Sequence, residues 1–165
     1  MKKITSDEAQ DVFNVALAGA NLQGFAYNRD NYSLYFDIAV INNITYQGYN
    51  FPSVMILNIE SVCQWRIGTK QHWDKLIIEK HRADLAEPEL SALLWDKKYG
   101  GLIEKVLCDK DSIKIILRGN REIFILNHSQ YPNNVWEFCE AKTYHDVAGW
   151  LLAWNDSDGY FLRTP

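Results

Sequence analysis

Between Gly101 and Asn127, three short runs of aliphatic and β-branched residues are separated by Asp109-Lys110-Asp111 and by Arg118-Gly119-Asn120-Arg121. Runs of strand length with breaks of turn length are the signature of an antiparallel meander. Glycine takes positive φ without steric cost, so Gly119-Asn120 at the centre of the second break suits a primed hairpin turn. Such a sheet buries one face, and the remaining segments must supply the layer that covers it.

A faint echo of the pattern lies upstream. With Ser33 placed over Ser112, Asp30 falls over Asp109, Leu34 over Ile113 and Phe36 over Ile115, so strand, acidic turn and strand occur twice. The first copy runs from Leu22 to Ile41 and is broken at Asn28-Arg29-Asp30-Asn31, whose side chains bond their own backbone and tolerate left-handed φ. Strands at 54–59 and 61–67 follow. Two similar halves in one sheet or barrel-like layer are therefore expected.

The covering layer is expected to be three to four helices. Thr5 to Asn21 carries the Thr5/Glu8 spacing of a capping box, with Ala9, Val12, Phe13, Ala16, Leu17 and Ala20 on one face. Gln71 to Arg82 reads as a second helix on Trp73, Leu76, Ile77 and His81, with a short strand at Lys75–Glu79 as the alternative. Glu87-Pro88 opens a third, with Leu90, Leu93 and Leu94 as its buried stripe, Lys97 and Lys98 in its last turn, and Gly100-Gly101 stopping it. Thr143 begins a fourth, in which Val147, Trp150, Leu151 and Trp154 share a face and 155–159 end it. Val135 to Glu140 alternates like a strand at the sheet's edge, His128 to Asn134 reads as a loop, and Tyr160 to Pro165 as a mobile tail. The fold class predicted is α+β, antiparallel meanders packed with helices, in a single domain over residues 1–165.

A chain of 165 residues can bury roughly 70% of its unfolded surface, enough for a core without disulfides or metal. The three cysteines, Cys63, Cys108 and Cys139, are an odd count inside apolar runs, as expected for reduced, buried thiols in a cytoplasmic protein. No apolar run reaches the ~20 residues of a spanning helix, and the start, Met1-Lys2-Lys3-Ile4-Thr5-Ser6-Asp7-Glu8, is too polar for a signal peptide. A net charge of −4 argues against nucleic acid as the partner and fits a basic protein.

Chemistry is hard to assemble from these residues. His72, His81, His128 and His145 have no metal spacing, and no C-x-x-C seeds a zinc site. A nucleophile elbow is missing, and a Cys139–His145 dyad would need convergence in space. The paired acids Asp109/Asp111, Glu87/Glu89 and Asp156/Asp158 stand where turns and caps place them. Neither a cofactor nor catalysis is expected.

Six Trp and nine Tyr remain to be accounted for. Tyr46, Tyr49, Trp73, Tyr131, Trp136 and Tyr160 stand in loops or beside charges, where large rings with few rotors make good interface anchors. In the loop 45–52 the alternative is that its rings fold back over the core. An acidic domain with an N-terminal helix and meanders through Ser61–Ile67 and Asp111–Ile125 resembles the immunity proteins of bacterial polymorphic-toxin systems, nearest in style to the partners of contact-dependent growth inhibition toxins. The likeness spans most of the chain and transfers no residue role. It implies a protein that covers the active site or substrate surface of a cognate toxin, in particular a basic nuclease. Tyr46, Tyr49, Glu87, Glu89, Tyr131 and Trp136 are the expected partner-binding residues. The main rival is a small-ligand-binding sheet or barrel lined by Phe36, Trp65 and Trp136. A second is a hydrolase in which His128 or His145 meets Cys139 and a carboxylate.

Overall fold

The computed structural model describes residues 1–27, 31–38, 41, 44–60, 65–68, 87–127, 134–140, 149–155 and 159–165. Residues 28–30 of the expected turn, the strand start at 61–64, the helix at 71–82, residues 128–133 of the expected loop and residues 143–148 lie outside them. The elements are β1 (Lys2–Ile4), α1 (Ser6–Leu17), β2 (Asn21–Tyr27), β3 (Asn31–Asp37), β4 (Thr45–Tyr46), β5 (Tyr49–Asn50), β6 (Val54–Glu60) and β7 (Trp65–Gly68). There follow α2 (Glu87–Leu94), β8 (Ile103–Cys108), β9 (Ser112–Leu117), β10 (Arg121–Leu126), β11 (Asn134–Glu140), β12 (Leu151–Asn155) and β13 (Gly159–Arg163).

The expected α+β class with three to four helices is overturned: the fold is β-rich, with two helices among the described residues. Nor is there one sheet of two halves. Seven strands form an antiparallel sheet in the order β1-β13-β12-β11-β6-β3-β2, and four form another in the order β7-β10-β9-β8. The predicted meander is the β8-β9-β10 core of the smaller sheet, and its upstream echo is the β2-β3-β6 edge of the larger. Leu34 and Phe36 on one, and Ile113 and Ile115 on the other, are all fully buried in one continuous core. The echo is thus a shared inward alternation in two facing sheets, with Trp65 of the smaller meeting Tyr32 of the larger edge-on at 5.0 Å.

The C-terminal reading is corrected as well. Residues Leu151–Asn155 and Gly159–Arg163, expected as a helix end and a mobile tail, form a hairpin that pairs with β11 on one side and with β1 on the other. Trp150, Leu151 and Trp154 fit a helical interval, yet Leu152, Trp154, Tyr160 and Leu162 alternate into the core with period two, and pairing decides between the two patterns. Because β12 occupies its far edge, β11 is an interior strand and not an edge strand. One cross-strand row then runs Tyr27, Tyr32, Ile59, Trp136, Trp154, Tyr160 and Ile4 across all seven strands, buried from Tyr32 to Ile4 and exposed at Tyr27 on the sheet's edge. Cross-strand aromatic pairs of this kind stabilise a sheet locally and fix its register.

The capping box at the start of α1 is as expected: Glu8 N–H donates to Thr5 Oγ1 at 3.1 Å, and Thr5 N–H to the Glu8 carboxylate at 2.8 Å. The helix stops at Leu17, short of Asn21, because the chain after it is claimed by another partner. Gly19 N–H donates to the Ile103 carbonyl, Ile103 N–H to Ala20, and Leu22 N–H to Gly101, so the start of β2 is joined to the start of β8. The helix itself lies along the free edge of β8. Asn14 acts there as a strand surrogate, its Nδ2 donating to the Val106 carbonyl at 2.8 Å and its Oδ1 accepting the Val106 N–H at 2.7 Å. Gln10, one turn earlier, accepts the Cys108 N–H at 3.1 Å. Residues i and i+4 on one helix face thereby cap alternate residues of an edge strand that would otherwise be open to pairing.

Candidate interaction surface

The residues expected to bind a partner fall into three groups. Trp136 is a correction: it is 0% exposed, packed against Phe13 and Tyr160, and its Nε1–H donates to Asn127 Oδ1 at 2.9 Å. It is a core residue because the face of β11 that carries it is covered by α1 through Phe13 and by Asn127 at the end of β10. Asn127 in turn donates to the Tyr160 hydroxyl at 2.8 Å, and Tyr160 donates to the Asp109 carbonyl at 2.6 Å. This buried relay ties the end of β10 to the larger sheet. Tyr131 lies outside the described residues, as do the side chains of Glu87 and Glu89, whose backbone opens α2.

Tyr46 and Tyr49 are paired across the β4–β5 hairpin, which turns through Gln47 and Gly48 at φ 51° and 84°. Both rings approach Trp150 at 6.4 Å, Phe51 stacks on it at 4.2 Å, and Trp150 Nε1–H donates to the Asn50 carbonyl at 2.8 Å. The aromatics of this loop therefore fold back as a sheath around one indole. Tyr49 keeps 44% of its surface in water, and Tyr46 is half-buried.

Phe36, Trp65 and Trp136, the wall expected of a ligand pocket, are core residues in ring contacts with Phe138, Tyr32 and Phe13. The Trp65 Nε1–H, buried without an acceptor, is the one buried side-chain polar atom among the described residues that lacks a partner. Cys139 accepts a hydrogen bond from Asn58 Nδ2 at 3.8 Å, and burial pushes its thiol up to about 11. Burial pushes the Cys108 thiol further, up to about 12. At neutral pH both are protonated, and a protonated thiol is a poor nucleophile. His128 and His145 lie outside the described residues. Among the described residues no three His, Cys, Asp or Glu side chains converge as metal ligands, and no helix is long and apolar enough to cross a membrane.

The residue that sequence reading missed is Trp95, which is 84% exposed, whereas Trp65, Trp136, Trp150 and Trp154 are buried. Leu90 and Leu93 anchor α2 in the core, and Trp95 follows the helix off that stripe. Its position between Leu94 and Asp96-Lys97-Lys98, away from the apolar face, was the available signal. The turn that displays it is tightly held. The Asp96 carboxylate accepts the Lys98 and Tyr99 N–H groups at 2.8 and 3.3 Å and pairs with Arg121 at 3.2 Å. These donors, with the Lys98 N–H first, hold the Asp96 carboxyl below its ordinary value. Gly100, at φ 54°, closes the turn by donating to the Asp96 carbonyl at 2.9 Å. Arg121 also donates to the Gly100 and Arg118 carbonyls at 2.9 and 3.0 Å. Tyr99 packs on Gly119 at the tip of the β9–β10 hairpin, with Lys98 Nζ 4.6 Å and the Arg121 guanidinium 5.8 Å from its ring centre. Lys97, Lys98 and Arg118 are exposed around it.

No protein-family model matches this chain, no curated protein matches it, and no solved structure matches it. The class defined by the coordinates is an antiparallel β protein of two large sheets and one small hairpin that, among the described residues, holds the Trp95 indole in water on a braced, cationic turn.

Proposed function

We propose that this chain is a binding protein of the immunity type, which neutralises a cognate bacterial toxin by covering its active site or substrate surface. One observation carries the reading: Trp95 stands in solvent on a turn braced by Asp96 and Arg121. Leaving ~150 Å² of indole unburied forgoes on the order of 3–4 kcal/mol at about 25 cal/mol per Å². Exposed Trp beside cationic side chains is the composition of an interface anchor. The toxin as partner is what the resemblance of the sequence to immunity proteins adds.

The test is co-expression with the inactivated C-terminal domain encoded by the gene immediately upstream, followed by size-exclusion chromatography with light scattering. A stoichiometric complex, together with rescue of growth against the active domain, is the expected result. Absence of both would refute the reading.

A further inference from the structure

Resting on the binding reading above, we infer that the docking surface is the Trp95 turn together with the β9–β10 hairpin tip, and that it receives an acidic segment of the protein partner. The net charge of −4 describes the chain as a whole, but the local sign at the exposed indole is opposite. Lys97, Lys98 and Arg118 are exposed there, and Arg121 is held beside them. Asp96, the acid within this turn, has its carboxylate engaged by two backbone N–H groups and Arg121. Arg121 is paired with Asp96, so an incoming carboxylate meets Lys97, Lys98 and Arg118, which form no ion pair among the described residues, while the indole offers a flat apolar face for burial.

Preorganisation supports the same site. The hydrogen bonds within the 96–100 turn and the Tyr99–Gly119 contact fix the platform before a partner arrives, which reduces the ordering cost of binding. A polyanionic nucleic acid is the less favoured occupant. A negatively charged chain repels a long polyanion, and three exposed cations form a small footprint for phosphate-backbone binding.

The experiment measures the affinity of the purified full chain for the inactivated upstream-encoded domain, at low and moderate salt. Four variants are compared: W95A, K97E/K98E, R118E and, as a charge-reversal control in the turn at the opposite end of β9, K110E. W95A is expected to weaken binding about 30-fold, as an anchor Trp does. K97E/K98E should weaken it at least about 10-fold, with a reduced salt dependence, and K110E should be near wild type. Circular dichroism melts of the surface variants should match wild type, so that loss of binding is read as loss of contact.

Wild-type binding that W95A and K97E/K98E leave unchanged would overturn this inference while leaving the binding reading intact. So would tighter binding by K97E/K98E, since the patch would then face a basic surface. Saturable binding of a 15-nucleotide thymidine oligomer that K97E/K98E abolishes would overturn it by assigning the patch to nucleic acid. Failure of the wild-type chain to bind the domain at all would overturn both.

Discussion

Gly101→Ala should be among the most destabilising single-methyl additions in this protein. A Cβ at position 101 would lie 2.5 Å from the Leu22 carbonyl oxygen, 2.7 Å from the Leu22 Cβ and 3.1 Å from its Cα. Two of these atoms are backbone, so no rotamer change relieves the clash. Ordinary contact begins at 3.4 Å, so β2 and the approach to β8 must separate by roughly 0.9 Å. That movement acts directly on the join between the sheets, where Leu22 N–H to Gly101, Ile103 N–H to Ala20 and Gly19 N–H to Ile103 measure 2.8, 2.9 and 2.9 Å. Losing one or two of these bonds costs about 1 kcal/mol each, and overpacking adds ~1–3 kcal/mol, for a total of roughly 2–5 kcal/mol.

Against a typical stability of ~5–15 kcal/mol this is a large loss, worth roughly 10 °C in Tm for a chain of this size. Urea unfolding followed by circular dichroism measures it, with m unchanged. Two other glycines make the experiment discriminating. Gly24 has nothing within 4 Å of a built Cβ and no positive φ, so Gly24→Ala should be neutral or stabilising by about 0.5 kcal/mol. Gly100 sits at φ 54° with only the Asp96 carbonyl at 3.9 Å, so Gly100→Ala should cost the ~1–2 kcal/mol of a left-handed backbone. If Gly101→Ala unfolds within about 1 kcal/mol of wild type, the close approach of Gly101 to Leu22 is not what holds the sheets together.

Asn14→Ala removes both bonds to Val106 from a partly buried strand edge and should cost about 2–3 kcal/mol, with faster hydrogen exchange at the Val106 amide than at Ile115 as the local readout. Tyr160→Phe leaves the Asp109 carbonyl without its 2.6 Å donor and should destabilise by about 1.5–3 kcal/mol in urea titration; a neutral result would mean that the Asn127 relay is not needed to hold β10 against the larger sheet. The buried thiols set an alkaline limit. Their folded values, about 12 for Cys108 and about 11 for Cys139, lie above the unfolded value of 9.0, so the unfolded chain releases these protons first. Stability from this source is therefore complete below about pH 9 and falls as pH rises towards 11–12, by up to ~1.4 kcal/mol per pH unit for each thiol. Urea midpoints between pH 7 and pH 10.5 test this, and the slope above pH 9 should flatten in Cys108→Ser.

Local signals were legible wherever the chemistry was local. The Thr5/Glu8 capping box, the strands around Asp109–Asp111 and the positive φ at Gly119 and Asn120 follow from side-chain hydrogen bonding and steric limits within a few residues. Reading failed where two periods competed. Trp150, Leu151 and Trp154 satisfy a helical interval, and Leu152 and Trp154 equally satisfy a strand; β11 and β13 settled it by offering backbone partners on both sides. The site was missed for a related reason. A loop position or a neighbouring charge favours Tyr46, Tyr49 and Trp136, but exposure depends on which way a strand faces and on what packs over a loop.

The residue order by itself decided which segments turn, which alternate and where the first helix begins, because those outcomes depend on contacts between near neighbours. Only the tertiary structure decided that the meander and its echo sit in facing sheets, that Asn14 substitutes for a missing strand beside β8, and that Trp95 remains in water. Each of those depends on groups far apart in the chain, where the free energy of burial and pairing overrides local preference.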